Sequence, residues 1–131
     1  MTYCISDIHG CYAEFMELLE KINFSIKDTL YVLGDMIDRG EASLEVMQHI
    51  METPNMHALM GNHEWMLLDY YDTSIQRSRY DWLANGGEEV SLQIMAMELT
   101  SAGMRDWEKM LEWLKGLPLY KFITVNGNDF L

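Results

Sequence analysis

Residues 29–40, TLYVLGDMIDRG, pass from a β-rich apolar run into a polar block that is bounded by Gly34 and Gly40. Short β-branched and aromatic runs that end at glycine or polar residues are typical of strands. The same succession occurs twice more: Thr2–Ile5 precedes SDIHG at residues 6–10, and Met56–Met60 precedes GNHE at residues 61–64. The sequence therefore predicts three strands, each followed by a polar block.

Apolar residues recur at helical spacing between these predicted strands. The first set is Phe15, Leu18, Leu19 and Ile22, and the second is Leu44, Met47 and Ile50 or Met51. This periodicity predicts an amphipathic helix in each interval. Strands that alternate with helices in units of about 30 residues form parallel sheets. The fold class predicted is therefore α/β.

The rest of the chain predicts further helices and a hairpin. A helical pattern continues through residues 65–68, and the polar stretch Asp72–Arg79 is predicted to be a loop. The other predicted elements are helices at Glu88–Leu99 and Met104–Lys115, a strand at Tyr120–Val125, and a turn at Asn126-Gly127. Because the return strand ends at Leu131, much of its partner would lack a pair, and we expect a truncated architecture. No linker divides residues 1–131, so we expect a single domain.

Composition limits the classes of function. The 131 residues include 21 acidic and 9 basic side chains, a formal net charge of −12. This charge repels nucleic-acid phosphates and anionic membranes, so neither is an expected partner. The sequence has no long apolar run and no signal peptide, and its two cysteines, Cys4 and Cys11, suit a reducing compartment. We expect a cytoplasmic protein.

The three polar blocks carry the chemistry. The carboxyl ends of parallel strands converge on one crevice, where ligands bind. Asp7, His9, Asp35 and Asn62 would meet there, and oxygen and imidazole ligands suit Mn, Fe, Zn or Mg. Asp35, on the middle block, is the natural bridge between two cations. Taken alone, an Asp before a helix, such as Asp7, is more often a helix N-cap. No Lys-Ser or Lys-Thr follows Gly40, which argues against a P-loop.

Together these blocks resemble a known family. The patterns D-x-H-G, G-D-x-x-D-R-G and G-N-H-E look like the phosphoprotein phosphatase branch of the calcineurin-like metallophosphoesterases. The segment WLANGG at residues 82–87 is similar to one in the bacterial and phage members. The resemblance covers residues 2–131 and implies the family's α/β sandwich, without its C-terminal part and with an incomplete second sheet.

The resemblance also implies roles for the site residues. Asp7 and His9 would bind a first metal ion, Asp35 would bridge, and Asn62 would bind a second. His63 would protonate the leaving oxygen, oriented by Asp38, and Arg39 would grip the phosphate. These roles suit the side chains, because an imidazolium donates protons and a guanidinium matches phosphate oxygens.

Several of these residues also have ordinary interpretations. His63 could be a solvated loop histidine, and Arg39 could form a surface ion pair with Asp38 or Glu41. Glu64 could simply begin a helix. We expect His49 and His57 to be structural or exposed to solvent, and the Met, Trp and Leu residues of the later helices to pack in the core.

The family's two further histidine ligands and second arginine do not occur in this sequence. We therefore expect two divalent cations, manganese above all, with the second site incomplete. Exposed apolar faces on the terminal hairpin and helices could be covered in a homo-oligomer.

Three functions remain open. The leading interpretation is a phosphomonoesterase like the serine/threonine protein phosphatases, which acts on a phosphoprotein or a small phosphoester through a metal-activated water. The alternative is a dinucleoside polyphosphate hydrolase of the diadenosine tetraphosphate type. That branch usually lacks an acid at the position of Asp38 and has Asp at that of Glu64, which favours the protein phosphatases. A third possibility is a fragment that binds a metal or a partner without turnover.

Overall fold

The computed structural model describes residues 1–71 and 81–131 of the chain. In the first range, strands alternate with helices: β1 (Thr2–Ile5), α1 (Tyr12–Lys21), β2 (Thr29–Val32), α2 (Ser43–Glu52), β3 (Met56–Ala58) and α3 (Asn62–Tyr71). The second contains a π-helical turn (Leu83–Gly87), α4 (Glu88–Glu98), α5 (Ser101–Lys115), β4 (Ile123–Val125) and β5 (Asn128–Phe130).

The first three strands form one parallel sheet in the order β1-β2-β3. Cys4 lies opposite Tyr31, and Tyr31 lies opposite His57 on the next strand. Two helices connect the three strands, as the alternating pattern predicts. The polar blocks at residues 6–10, 34–40 and 61–64 consequently leave the sheet at the same edge. The α/β prediction is confirmed.

The helical periodicity identifies the faces that pack against this sheet. Phe15 and Leu19 of α1 are buried, as are Val46, Met47 and Ile50 of α2. They form one core with the sheet residues. The prediction is less accurate at Leu18, whose side chain is 40% exposed. An apolar residue at the edge of a helical stripe stays in contact with solvent, and only the centre of the stripe reaches the core.

The later helices belong to the same core. Trp107, Met110 and Leu114 of α5 are buried, together with Val90 and Ile94 of α4. The expectation that the Met, Trp and Leu residues of these helices pack in the core holds for Trp107, Met110 and Leu114, whereas Leu92 (61%) and Met95 (58%) are exposed. Among the described residues, no helix is long and apolar enough to cross a membrane.

Some element boundaries differ from the prediction. Helix α5 begins at Ser101 and not at Met104, because the hydroxyl oxygen of Thr100 accepts a hydrogen bond from the backbone N–H of Gly103 at 3.0 Å. Strand β4 begins at Ile123 and not at Tyr120, and β3 ends at Ala58. Strands end where backbone pairing ends, which apolar composition does not indicate. The predicted loop at Asp72–Arg79 lies outside the described residues.

The hairpin prediction is confirmed. Strands β4 and β5 pair antiparallel, and Asn126 and Gly127 have φ of 52° and 79°. Two successive residues with positive φ are the signature of a type I′ turn. The hairpin borders a cleft of about 530 Å³ that also reaches Tyr31 and Leu33 of the parallel sheet. Apolar side chains around it are exposed, as expected: Leu119 (70%), Phe130 (53%) and Leu131 (80%).

Candidate metal and phosphate site

The polar blocks after β1 and β2 pair through their backbones beyond the ends of the strands. The N–H of His9 donates to the carbonyl of Asp35 at 3.0 Å, and the N–H of Gly10 donates to Met36 at 2.9 Å. A Cβ on Gly10 would lie 2.8 Å from the carbonyl oxygen of Gly40, so only glycine permits this approach. The first two blocks are thus held side by side.

Two imidazoles face each other across this junction. Nδ1 of His9 lies 2.9 Å from the carbonyl oxygen of Ile37, and Nδ1 of His63 lies 2.7 Å from Oδ2 of Asp38. Because each Nδ1 faces an acceptor, we assign the ring proton to Nδ1. The ring centroids are 4.7 Å apart. With the proton on Nδ1, the neutral form of each ring has the lone pair of its Nε2 available for another partner.

Asp35 lies beside both rings. One ligand atom from each of His9, Asp35 and His63 can be chosen so that all three lie within 4.8 Å of one another. One hard carboxylate and two borderline imidazoles form a donor set that suits Mn, Fe or Zn. These residues therefore fit a divalent cation. The sequence assigned His63 to proton transfer only, and the structure also brings it within reach of a metal ion.

The other two predicted ligands lie next to this group. Oδ1 of Asp7 is 3.8 Å from Nε2 of His9, and its side chain is 64% exposed. In the orientation that satisfies both groups, the amide nitrogen of Asn62 donates to the two carboxylate oxygens of Asp35, at 3.0 and 3.1 Å. The backbone N–H of His63 also donates to Oδ1 of Asp35, at 3.1 Å. Asp35 is thus tied to the third block.

Arg39 reaches into the same crevice. Its Nη1 lies 3.1 Å from Nε2 of His9, and its Nη2 lies 3.4 Å from Nε2 of His63. These contacts differ from the surface ion pair with Asp38 or Glu41 that the sequence left open. The positively charged guanidinium of Arg39 therefore lies beside the Nε2 atoms of both imidazoles.

Asp38 is the buried partner of His63. Its side chain is inaccessible to solvent, and that of His63 is 3% exposed. Burial raises the pKa of the Asp38 carboxyl, while hydrogen bonds from His63 and Trp82 oppose the rise. The interpretation of His63 as a solvated loop histidine is therefore wrong. Its imidazole is held by a carboxylate, as the resemblance implies.

Glu64 has a structural role that the sequence left undecided. Its carboxylate is fully buried and accepts backbone N–H groups from Asp35 (2.9 Å), Met36 (2.8 Å) and Gly61 (3.0 Å). Burial raises the pKa of this carboxyl, and the backbone bonds oppose the rise. In the bond to Gly61, the side chain of the third helical residue accepts the backbone N–H of the residue before the helix, which is one half of a capping box. The spacing from Gly61 to Glu64 could therefore have indicated this contact. Glu64 joins the second and third blocks.

Trp82 is the other contact that the sequence missed. Its indole N–H lies 3.0 Å from Oδ1 and 2.9 Å from Oδ2 of Asp38. The sequence analysis named Trp82 only as part of the segment WLANGG, and the structure shows its side chain fully buried. A buried indole N–H usually finds an acceptor, which was the available signal, although the sequence does not name the acceptor.

Comparison with known proteins gives a consistent result. The family model described as calcineurin-like phosphoesterase matches residues 2–130. A symmetrical bis(5′-nucleosyl)-tetraphosphatase from Delftia acidovorans is 38% identical over 119 residues, which cover 89% of this chain and 37% of the relative. Relatives from several other bacteria bear the same name. The chain spans about two fifths of the length of these relatives.

Two solved structures share the fold. A metallophosphoesterase from Sphaerobacter thermophilus aligns with a TM-score of 0.55 at 19% identity, over 95% of this chain and 42% of that one. A protein serine/threonine phosphatase from Saccharomyces cerevisiae aligns with a TM-score of 0.56 at 22% identity, over 94% of this chain and 34% of that one. At these identities the likeness concerns the fold alone.

Proposed function

Because the chain belongs to the calcineurin-like phosphoesterase family, we propose that its site hydrolyses bonds between phosphorus and oxygen with divalent cations bound. We propose a bis(5′-nucleosyl) tetraphosphate as its substrate. The observation that carries this proposal is the convergence of His9, Asp35 and His63 at the ends of the parallel strands, with Arg39 beside them.

The proposed ligands are Asp7, His9, Asp35 and Asn62, with manganese as the leading metal. When bound, divalent cations supply Lewis acidity and lower the pKa of a coordinated water. This chemistry suits the site, because the three side chains that converge include no serine, threonine or cysteine to act as the nucleophile. The metal ions would also offset part of the net charge of −12.

The proposed roles of the chain's own residues follow from their contacts. Asp38 holds Nδ1 of His63, so Nε2 points into the crevice and can carry a proton to the leaving oxygen. The buried Asp38 carboxylate stabilises the imidazolium form that this transfer needs. Arg39 offers a planar fork of donors to the phosphate oxygens from the same crevice.

The choice of substrate rests on the relatives. They bear the name of symmetrical tetraphosphatases, which supports the alternative of the sequence analysis over its leading interpretation. Symmetrical cleavage of a four-phosphate chain gives two nucleoside diphosphates.

One observation favours a second candidate, a phosphoserine or phosphothreonine monoesterase. An alkoxide is a strongly basic leaving group and needs a proton more than a polyphosphate does. The buried Asp38–His63 pair, with its contact of 2.7 Å, is suited to supply that proton.

A substrate panel tests both candidates. The purified chain with manganese is incubated with diadenosine tetraphosphate or with a phosphoserine peptide, and the products are separated by anion-exchange chromatography. We expect two equivalents of ADP from the dinucleotide, at a higher kcat/KM than release of phosphate from the peptide. The reverse order would select the monoesterase.

Matched variants test the site itself. Asp35→Asn should abolish turnover, whereas Asp129→Asn makes the same change of charge on the exposed strand β5 and should have no effect. Unchanged turnover in Asp35→Asn would refute the site. Metal binding without turnover of either substrate would support the third possibility, a chain that binds metal without catalysis.

A further inference from the structure

We infer that Trp82 is a positioning residue, which fixes the Asp38 carboxylate and through it the His63 imidazole. The indole N–H is shared between the two carboxylate oxygens, at 3.0 and 2.9 Å. Oδ2 also faces Nδ1 of His63 at 2.7 Å. The three side chains thus form a linear relay of hydrogen bonds, Trp82 to Asp38 to His63. The effect on catalysis rests on the role proposed for His63.

Burial makes these hydrogen bonds effective. Trp82 and Asp38 are inaccessible to solvent and His63 is 3% exposed, so water does not compete for the carboxylate. Hydrogen bonds to an ionised acceptor are stronger than neutral ones, especially in a medium of low polarity. A carboxylate with one partner can rotate about its terminal bond, whereas the shared indole proton fixes both of its oxygens. The plane of the carboxylate therefore decides where the His63 ring points.

The indole ring is itself held in place. It contacts the ring of Tyr70, with the centroids 4.8 Å apart. Gly87 packs against the indole ring. A Cβ at Gly87 would lie 2.3 Å from the ring, so only glycine leaves room for the indole. The carbonyl oxygen of the adjacent Gly86 accepts the backbone N–H of Arg39 at 3.0 Å. Residues 82–87 thereby contact both Asp38 and Arg39.

Nuclear magnetic resonance of the metal-free chain tests the relay without any need for turnover. The indole N–H of Trp82 should exchange with solvent at least about 100-fold more slowly than that of Trp65, whose side chain is 54% exposed. In Trp82→Phe, which keeps the aromatic bulk and removes the donor, the Nδ1 proton of His63 should exchange faster than in the wild type. Trp107→Phe, another buried tryptophan, is the control.

Equal exchange of the two indole protons in the wild type would overturn the inference, even if Trp82→Phe failed to fold. An unchanged His63 proton in a folded Trp82→Phe chain would overturn it as well.

Kinetics of the manganese-loaded chain test the catalytic consequence. A misaligned proton donor affects a basic leaving group most, so Trp82→Phe should lower kcat about tenfold on phenyl phosphate, with KM unchanged. The loss on p-nitrophenyl phosphate, whose leaving group is a weaker base, should be much smaller. Any change of kcat in Trp107→Phe should be the same on both substrates. Equal losses on both substrates in Trp82→Phe would contradict the positioning role. A wild-type chain without turnover of the dinucleotide or of the phosphoserine peptide would refute the proposed function, while the exchange measurement would still decide the relay.

Discussion

Five residues at the strand ends have a left-handed backbone although they are not glycine. Their φ angles lie between 47° and 71°: Asp7, His9, Asp35, Asp38 and Arg39. Each such residue costs on the order of 1 kcal/mol, with Asp and His among the better tolerated types. All five belong to the candidate site. The strain is therefore concentrated where it turns side chains out of the sheet edge and towards one crevice.

Glu64 offers a test of what holds these strained blocks in place. Its carboxylate accepts backbone N–H groups from both the second and the third block. Glu64→Gln keeps the size of the side chain but replaces one acceptor oxygen with an NH₂ group, which faces backbone donors. Because a buried donor is then left without an acceptor, we expect the free energy of unfolding to fall by about 2 kcal/mol in a urea titration.

The matched control for this prediction is Glu89→Gln. Glu89 is an exposed residue in the first turn of α4, so the same chemical change should alter stability by less than about 0.5 kcal/mol. A loss of similar size in both variants would mean that the effect of Glu64→Gln does not come from the buried backbone contacts.

At the scale of elements, the hairpin approaches the parallel sheet near His57. Burial lowers the pKa of His57, and the positive charge of Lys121, close to the start of β4, lowers it further. Nζ of Lys121 lies 5.5 Å from the ring centroid of Tyr31, and that ring contacts His57 with centroids 5.4 Å apart. The protonation of His57 on β3 therefore reports on the position of the chain that leads into the hairpin.

Removal of the lysine charge should raise the pKa of His57. We expect the titration midpoint of His57, measured by proton NMR, to lie below the ordinary value of 6.5 in the wild type and to move upwards in Lys121→Met. Because the folded state favours the neutral ring, the stability that His57 contributes is fully present above pH 6.5 and is lost as the pH falls from there through the lower pKa of the folded state. The slope of stability against pH should therefore be shallower in Lys121→Met.

Lys27→Met, a change of an exposed lysine outside the hairpin, is the control for that titration. It should leave the midpoint of His57 where it is in the wild type. A midpoint that also stays unchanged in Lys121→Met would place the lysine charge away from β3.

The elements themselves were largely predictable from the sequence. The helical spacing of apolar residues such as Phe15 and Leu19 predicts a helix that buries its apolar face. Asn126-Gly127 predicts a tight hairpin turn, because both residues can adopt positive φ angles. Side-chain bridges between distant positions were not predictable. Trp82 reaches Asp38 across 44 positions, and nothing local to either residue records that contact. The sequence contains the donor and the acceptor, and only the fold buries and pairs them.

At the scale of the whole molecule, charge is the dominant feature. The chain has 21 acidic and 9 basic residues. The carboxylates of the candidate site are part of this acidic excess. Such a chain repels itself in the folded state, and both salt screening and bound cations relieve that repulsion. Screening acts on every exposed charge, whereas a bound cation acts at one place. The two contributions can therefore be separated by changing a single ligand.

Thermal unfolding in sodium chloride and in manganese chloride of equal ionic strength provides that separation. Sodium chloride should raise the unfolding midpoint of the wild type slightly, and manganese should raise it by several degrees more. A ligand at about 100 times its dissociation constant contributes about 2.7 kcal/mol, roughly 10 °C for a domain of this size. Asp35→Asn should keep the increment from salt and lose the extra increment from manganese, while Asp129→Asn on the exposed hairpin keeps both. If Asp35→Asn retained the full manganese increment, the cation would bind elsewhere among the acidic side chains, because the loss of a central ligand must weaken a site that contains it.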